Sequence, residues 1–449
     1  MSEDLRSKAS PYSKVPFAWL LLGVFALLAA GVFSILLVLS RTPAIQEFIP
    51  IIDFFHVALV IHVNLSVLIW FLSFTAVLWT LNTKPIKALD YGALGLACLG
   101  TLGIVIGPLV GTDKPLMNNY IPVLEHDWFY LSLALFGLGI LLSAIKTVLR
   151  PISPAPFFES SPINKSIYAS AWVCIAAFLA LLVSYQNLPK SISSASYFEY
   201  LFWGGGHILQ FSHTLLALVA WAWLLKISSG QRFNFSGRLT PLFIVAVMPV
   251  LSVPFIYYKY EVLSTEHHLA FTALMKHGGL SSLPIGLLIT VWLLSNKRAK
   301  PEDRHYRACL YASLGLFATG GVIGFLIEGV NVVIPAHYHG SIVGVTLAFM
   351  GLSYYFLPQF GYGKPDLRLA HWQPYIYGGG QLLHILGLAW SGGYGVQRKT
   401  AGAEQGLDRL PEIAGMGMMG LGGLISIIGG ALFLWIVIKV LIAGKAAAS

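Results

Sequence analysis

The stretch VVIPAHYHGSIVGVTLAFMGLSYYFL, residues 332–357, decides how this chain is read. Crossing a bilayer as a helix takes about 20 mostly apolar residues, and this segment is long enough. It carries His337 and His339, two positions apart. On a helix, residues at that spacing point about 200° apart. Such a pair cannot chelate one ion. It can set one imidazole on each side of the helix, toward two different cofactors or toward hydrogen-bond partners on two neighbouring helices.

Working outward, eleven more segments have the same character: 17–40, 54–80, 92–111, 128–149, 166–185, 201–225, 239–258, 269–295, 308–327, 374–395 and 413–443. The first is too long for a signal-peptide core and lacks a small-residue cleavage site after it, so it counts as a span. Of the 449 residues, 56% are hydrophobic and 10% charged. A soluble domain carries about 25% charged residues, so soluble, disordered, collagenous and coiled-coil classes are excluded. The expected fold is all-α: one polytopic bundle of about twelve transmembrane helices, a single domain over 1–449. In lipid only helices or closed barrels satisfy the backbone.

The formal charge of +9 points to topology rather than to nucleic acid. The N-terminus, the even-numbered loops and the C-terminus hold 20 of the 28 basic residues, among them Arg6, Lys8, Arg232, Arg238, Lys297, Arg298, Arg304, Arg307, Lys364, Arg368 and Lys445. By the positive-inside rule both termini are cytoplasmic. The setting expected is a bacterial inner membrane, with lipid as the surrounding partner. Three scattered cysteines (Cys98, Cys174, Cys309) make no disulfide framework.

Ionisable groups inside a membrane are expensive and mark function. Thirteen histidines are many for this composition. His305 and His371 fall in cytoplasmic loops. His62, His207, His267, His268, His337 and His339 come from four separate places and map to one depth, toward the outer side. Neutral imidazole is the commonest metal ligand. The adjacent pair His267-His268 can reach one metal if a third ligand comes from another helix. His207, following Gly204-Gly205-Gly206, suits that place, and three imidazoles suit copper, iron or zinc. For His56, His277 and His384 a packed, hydrogen-bonded role is expected.

His62 in HVNLSVLIW, the isolated His207, the His267-His268 pair and His337-Tyr338-His339 together resemble the catalytic subunit, subunit I, of the haem–copper oxidoreductase superfamily. The resemblance spans all twelve segments in order. It implies a respiratory terminal reductase with two haems and one copper or non-haem iron. It implies that His62 and His339 ligate a low-spin haem from its two faces. It implies that His337 is the proximal ligand of a high-spin haem, and that His207, His267 and His268 hold the second metal facing it. Arg398 and Lys399 fall where that family pairs cations with haem propionates.

The departures from the family bear on the substrate. Most oxygen-reducing members carry a tyrosine four residues after the histidine of the sixth span. Here that position is Phe211. One branch places the tyrosine six residues before the histidine pair, which here is Glu261, with Tyr257, Tyr258 and Tyr260 close by. Nitric oxide reductases lack the phenol and bring carboxylates near the second metal. Gln210 and Glu261 are the substitutes available here, Glu261 as a proton donor. The favoured expectation is therefore reduction of two NO to N2O, with O2 reduction, using Tyr260, as the alternative. A carboxylate or lysine is missing from the cytoplasmic halves of the spans. Glu328 and His213 are left as candidates for a proton route, with Glu125 and Asp127 at the rim. No Cys-x-x-Cys-His and no paired-cysteine copper motif is present, so electrons come from a donor subunit with haem c or copper, or from quinol. Twelve helices also describe secondary transporters. That reading predicts two related halves with polar groups at the midplane, and neither is found.

Overall fold

The computed structural model describes residues 14–43, 45, 52–111, 114–150, 161–229, 239–296 and 299–444. Of the orienting charges, Arg6, Lys8, Arg232, Arg238, Lys297, Arg298 and Lys445 lie outside the described residues. The helices are α1 (Lys14–Leu39), α2 (Ile52–Val63), α3 (Trp70–Leu81), α4 (Lys87–Ile106), α5 (Asp127–Leu149), α6 (Pro162–Asn187), α7 (Ser194–Ser228), α8 (Thr240–Val245), α9 (Val253–Lys259), α10 (Thr265–Gly278), α11 (Leu283–Ser295), α12 (Arg304–Phe325), α13 (Val333–Gln359), α14 (Leu367–Gly393) and α15 (Leu410–Ile442). A two-stranded hairpin, β1 (Pro115–Leu116) with β2 (Val123–Leu124), lies between α4 and α5.

Ten segments are long and apolar enough to cross a membrane. Two of the twelve expected spans are not among them, for different reasons. The segment expected at 239–258 is broken into α8, a 3-10 turn at Met248–Ser252 and α9. Pro241, Pro249 and Pro254 each open one of these pieces, because proline fits a first helical turn but cannot continue a helix already begun. The other, α14, is a continuous helix of 27 residues, about 40 Å at 1.5 Å per residue. Its sequence is diluted by Arg368, His371, Gln373, Gln381 and His384. The expected bundle is therefore present, with one span interrupted.

Three helices form the densest centre. Phe74 of α3 stacks on Phe349 of α13 at 4.2 Å, Trp70 and Phe71 pack edge-on against the same ring, and Trp223 of α7 meets Phe356 at 5.4 Å. In lipid such contacts hold helices by close packing rather than by removal from water. Between α2 and α3 the backbone runs as a π-helix at Asn64–Ile69. Single π turns of this kind recur at functional sites, and this one follows His62 directly.

Two expectations are corrected here. His305 and His371 are not loop residues: they lie in α12 and α14, His305 fully buried. The span ends expected to be cytoplasmic also do hold a carboxylate and a lysine. Asp90, in the first turn of α4, accepts from Lys146 of α5 at 2.5 Å, with side chains 4% and 2% exposed. Its second oxygen accepts from the Ile86 N–H at 2.8 Å. Asp90 sits in a helix turn just before the apolar stretch at 92–111, and Lys146 in the last turn of the stretch at 128–149.

Candidate functional site

His337 and His339 face opposite ways, as their spacing requires. His337 turns toward α12, where its Nδ1 pairs with the Gly320 carbonyl at 2.7 Å. Its ring lies against Gly324 so closely that a Cβ there would collide with it. His339 turns the other way, its ring 5.0 Å from that of His384.

A cavity of about 1360 Å³ opens on the His339 side. His62, His339, His384, Ser66, Tyr338, Gln210 and His213 line it among many leucines, isoleucines and phenylalanines. His62 is fixed by its Nδ1, which pairs with the Ala30 carbonyl at 3.0 Å, and Ser66 donates to the His62 carbonyl at 2.7 Å. An imidazole whose Nδ1–H is tied to a carbonyl presents a bare Nε2 in a set orientation, the usual arrangement of a metal-ligating histidine. His384 is held the same way by the Met419 carbonyl at 3.0 Å. His213 packs on Phe71 at 4.9 Å, with its Nε2 unpartnered.

Cations close the mouth of this cavity beside the β1–β2 hairpin. Arg41, Arg398 and Lys399 all line it. Lys399 adopts a left-handed backbone, φ 63°, strained for a non-glycine residue. It is held there from both ends. Its carbonyl accepts from His56 at 3.0 Å, and its ammonium donates to the Met117 and Asn118 carbonyls at 3.2 and 3.3 Å. Arg398 donates to Asn119, which in turn is gripped by the Glu199 carboxylate. Arg41 keeps a buried, unpartnered Nε. Burial, with Arg398 beside it, pulls the Lys399 ammonium down to about 8, and burial lowers Arg41 to about 10. Three cations near one carboxylate suit an acidic group in the cavity. His62 fixed through its Nδ1, His339 on the wall of the same large apolar slot, and a guanidinium whose buried Nε has no partner while its Nη2 donates to the Gln397 carbonyl together fit a haem with propionates at this mouth.

The second histidine group is arranged differently. His207 of α7 pairs its Nδ1 with the Trp203 carbonyl at 2.8 Å. His267 and His268 occupy the first turn of α10, which Ser264 caps by accepting from the His267 N–H at 3.1 Å. His267 is 0% exposed with neither ring nitrogen partnered, the mark of a group built to bind something. His268 stacks on Trp203 at 3.5 Å, and Phe271 lies 5.0 Å from His267 and 5.6 Å from His207. The three histidines thus share one aromatic pocket. Among the described residues, however, no three of His, Cys, Asp or Glu stand close enough to hold a metal. The orphaned His267 fits a metal; the spacing of the three, with Trp203 and Phe271 between them, does not close a ligand set.

The other candidates scatter. Glu261 and Glu328 are exposed, as are Glu125, Asp127 and His277. Tyr260 is half-buried with Lys259 over its ring at 5.2 Å. Phe211 is buried against Phe271's neighbourhood and offers no polar atom. Two residues that sequence reasoning passed over stand in the pocket instead. Tyr257 packs on His267 at 5.0 Å, its hydroxyl paired with Ser184 at 2.9 Å and donating to the Ala180 carbonyl at 3.2 Å. Tyr120, from the α4–α5 hairpin, lies 4.9 Å from His207 and so close over Gly206 that no side chain fits there. Burial raises its phenol well above the usual range. Nothing in a loop tyrosine's sequence context announces this. Tyr257 had only its nearness to Tyr260 as a signal, and Arg41 only its charge.

A helical bundle with one helix presenting histidines to both sides, beside an enclosed slot capped by cations, defines a membrane oxidoreductase of the haem–copper class. Residues 14–432 match the family described as cytochrome c and quinol oxidase polypeptide I, and the chain belongs to it. A cryo-EM structure of a haem–copper terminal oxidase dimer shares the fold with a TM-score of 0.74 at 18% identity, over 97% of this chain and 85% of that one. An uncharacterised protein of Rickettsia prowazekii (strain Madrid E) is 33% identical, with 93% of this chain and 94% of that protein covered. One of Aquifex aeolicus (strain VF5) is 27% identical over 77% and 85%.

Proposed function

We propose that this chain is the catalytic subunit of a terminal reductase in a bacterial inner membrane, with both termini cytoplasmic and the histidine sites toward the outer side. In this reading His62 and His339 hold a low-spin haem, His337 a high-spin haem, and His207, His267 and His268 a copper or non-haem iron. Arg41, Arg398 and Lys399 receive the propionates. When bound, haem and the second metal would supply electrons to the gas. The chain's own residues fix imidazole orientation through the Ala30 and Gly320 carbonyls and keep the slot apolar. Electrons arrive from a donor subunit carrying haem c or copper, or from quinol.

The substrate best supported is O2, and the observation that carries it is Tyr257. Its phenol is packed on His267 and hydrogen-bonded with Ser184, while Glu261, the acid that favoured nitric oxide on sequence, is exposed. Reducing O2 to two waters takes four electrons and four protons. A phenol beside a metal-ligand histidine supplies one of each from its O–H, to be re-reduced by the donor. Nitric oxide remains the second reading, favoured by Phe211, which offers no phenol at that position of α7. The test is turnover of both gases at matched concentration by purified protein. O2 reduction falling about 100-fold in Tyr257→Phe, with NO turnover unchanged, is expected, in the range that one proton-transferring group contributes. NO reduced faster than O2, with Glu261→Gln more damaging than Tyr257→Phe, overturns this in favour of nitric oxide.

A further inference from the structure

The span that carries His62 also holds a device that the proposed function leaves unexplained. Asn64, two residues on, opens the π turn at Asn64–Ile69 and is 1% exposed. A π turn pairs backbone groups five apart instead of four, so carbonyls at its start lose their usual partners. Two side chains replace them. Asn64 donates from Nδ2 to the Val60 carbonyl at 2.9 Å, and Ser66 donates to the His62 carbonyl at 2.7 Å. The turn also sets aim. On an unbroken α-helix, positions twelve apart, such as His62 and Phe74, point about 120° apart. Absorbing one residue in a π turn cuts that to about 20°. Both then face α13, where His339 shares the cavity wall with His62 and Phe349 stacks on Phe74.

The second hydrogen of the same amide goes elsewhere: Asn64 Nδ2 donates to the Pro122 carbonyl at 2.7 Å. Both acceptors are carbonyls, which fixes the orientation of the amide and leaves its Oδ1 buried without a partner. An orphaned oxygen costs free energy that a leucine at this place would not. What the asparagine supplies in return is reach to two carbonyls at once. Pro122 ends the turn between β1 and β2. Within that turn Asn118 Oδ1 accepts from the Tyr120 and Ile121 N–H groups at 3.0 and 2.8 Å, and the Tyr120 ring is set 4.9 Å from His207 and 5.8 Å from Trp203. We propose that Asn64 is a positioning residue shared by the two histidine sites: one side chain holds both the π turn that aims His62 and the turn that presses Tyr120 on His207. The link enters the second pocket from the His207 side; His267 and His268 are placed separately, by α10. It rests on the proposed function for the cofactors that report on it, and not for the link itself.

Three variants separate the two bonds. Asn64→Ser keeps a hydroxyl able to bond the carbonyl four residues back, as Ser66 does, and is too short to reach Pro122. Asn64→Leu keeps the bulk and removes both bonds. Ser66→Ala removes only the cap on the His62 carbonyl. The first readout needs no cofactor: amide hydrogen exchange of the peptide spanning 117–122, followed by mass spectrometry. It is expected to quicken about tenfold in Asn64→Ser and Asn64→Leu, the equilibrium weight of one hydrogen bond, and to keep the wild-type rate in Ser66→Ala. The second is the electron paramagnetic resonance of the oxidised low-spin haem, whose g-values follow the orientation of the axial imidazole planes. They are expected to shift in Asn64→Leu and Ser66→Ala and to hold in Asn64→Ser. The third is affinity for the second metal, measured with a competing chelator. It is expected to fall about tenfold in both Asn64 variants and not in Ser66→Ala, the lower end of what a residue supporting a metal-ligating histidine contributes. Wild-type exchange at 117–122 in both Asn64 variants overturns the link. Equal quickening in Ser66→Ala overturns it too, because the effect is then a general loosening. Faster exchange with wild-type g-values and metal affinity throughout leaves Asn64 a structural pin and overturns the positioning role. A wild-type chain that takes up neither haem nor metal, in which 117–122 still loosens in the Asn64 variants alone, overturns the functional reading and leaves the link standing.

Discussion

The two histidine regions are built by different means. On the cavity side, His62 and His339 sit within long spans, each with helix on both sides of it, and a hydrogen bond from a neighbouring helix sets the His62 ring. In the aromatic pocket, His207 is on the continuous α7, but His267 and His268 sit at the very start of α10, after a segment cut into three proline-headed pieces. The first region sets His62 and His339 on the wall of one large apolar cavity. The second brings the right side chains to one place and leaves Trp203 and Phe271 between them. A ligand carried within a long helix inherits its position from helix packing. A ligand carried at a helix start depends on the loop before it and on the cap.

The largest effect expected follows from the first region. His62→Ala or His339→Ala removes one of two faces of the slot and abolishes the low-spin absorption band. A normal low-spin spectrum in either variant would break the assignment. Next in size, His207→Ala, His267→Ala and His268→Ala lose the second metal while that band persists, as metal analysis of purified protein will show. A full equivalent of copper or iron retained in all three would erase the contrast between the regions.

A smaller change sharpens the contrast. Ser264→Ala removes the cap that starts α10 and costs about 1 kcal/mol. It is expected to lower metal content and thermal stability together and to leave the low-spin band untouched. Equal loss of both signals would mean that the two regions are not mechanically separate.

The smallest concerns the mouth. In cofactor-free protein Lys399 titrates near 8, below its ordinary 10.5. Its proton is therefore bound less readily folded than unfolded. The charged form destabilises the fold below pH 8, and that penalty fades as pH rises from 8 toward 10.5. The thermal advantage of Lys399→Met should accordingly be widest below pH 8 and shrink above it. An advantage that grows with pH would reverse the sign argued here.

Much of this was legible in the sequence because membrane spans and intramembrane histidines are local signals. The two-sided display of His337 and His339 followed from helix geometry alone. The interruption at 240–259 was hidden because hydropathy counts apolar residues and ignores where prolines cut the backbone. His305 and His371 were misplaced for the converse reason: charged neighbours such as Arg304, Arg307 and Arg368 made helical, buried positions look like loops. Tyr120 and Tyr257 entered through tertiary packing, Tyr120 against Gly206 and Tyr257 against Ser184, contacts that no spacing along the chain encodes.

The hairpin at 115–124 has a bearing on how the protein is assembled. Met117, Asn118, Asn119, Tyr120, Ile121 and Pro122 roof one end of the cavity and are tied down by Lys399, Arg398 and Glu199. Once that roof is seated, nothing as broad as a porphyrin passes through it. Loading is left two routes: before the hairpin docks, or sideways from lipid, where exposed Leu28, Val32 and Ile35 of α1 and Leu179 and Leu182 of α6 border the same space. On the proposed reading, docking of the hairpin would close the first of these routes and leave the second open.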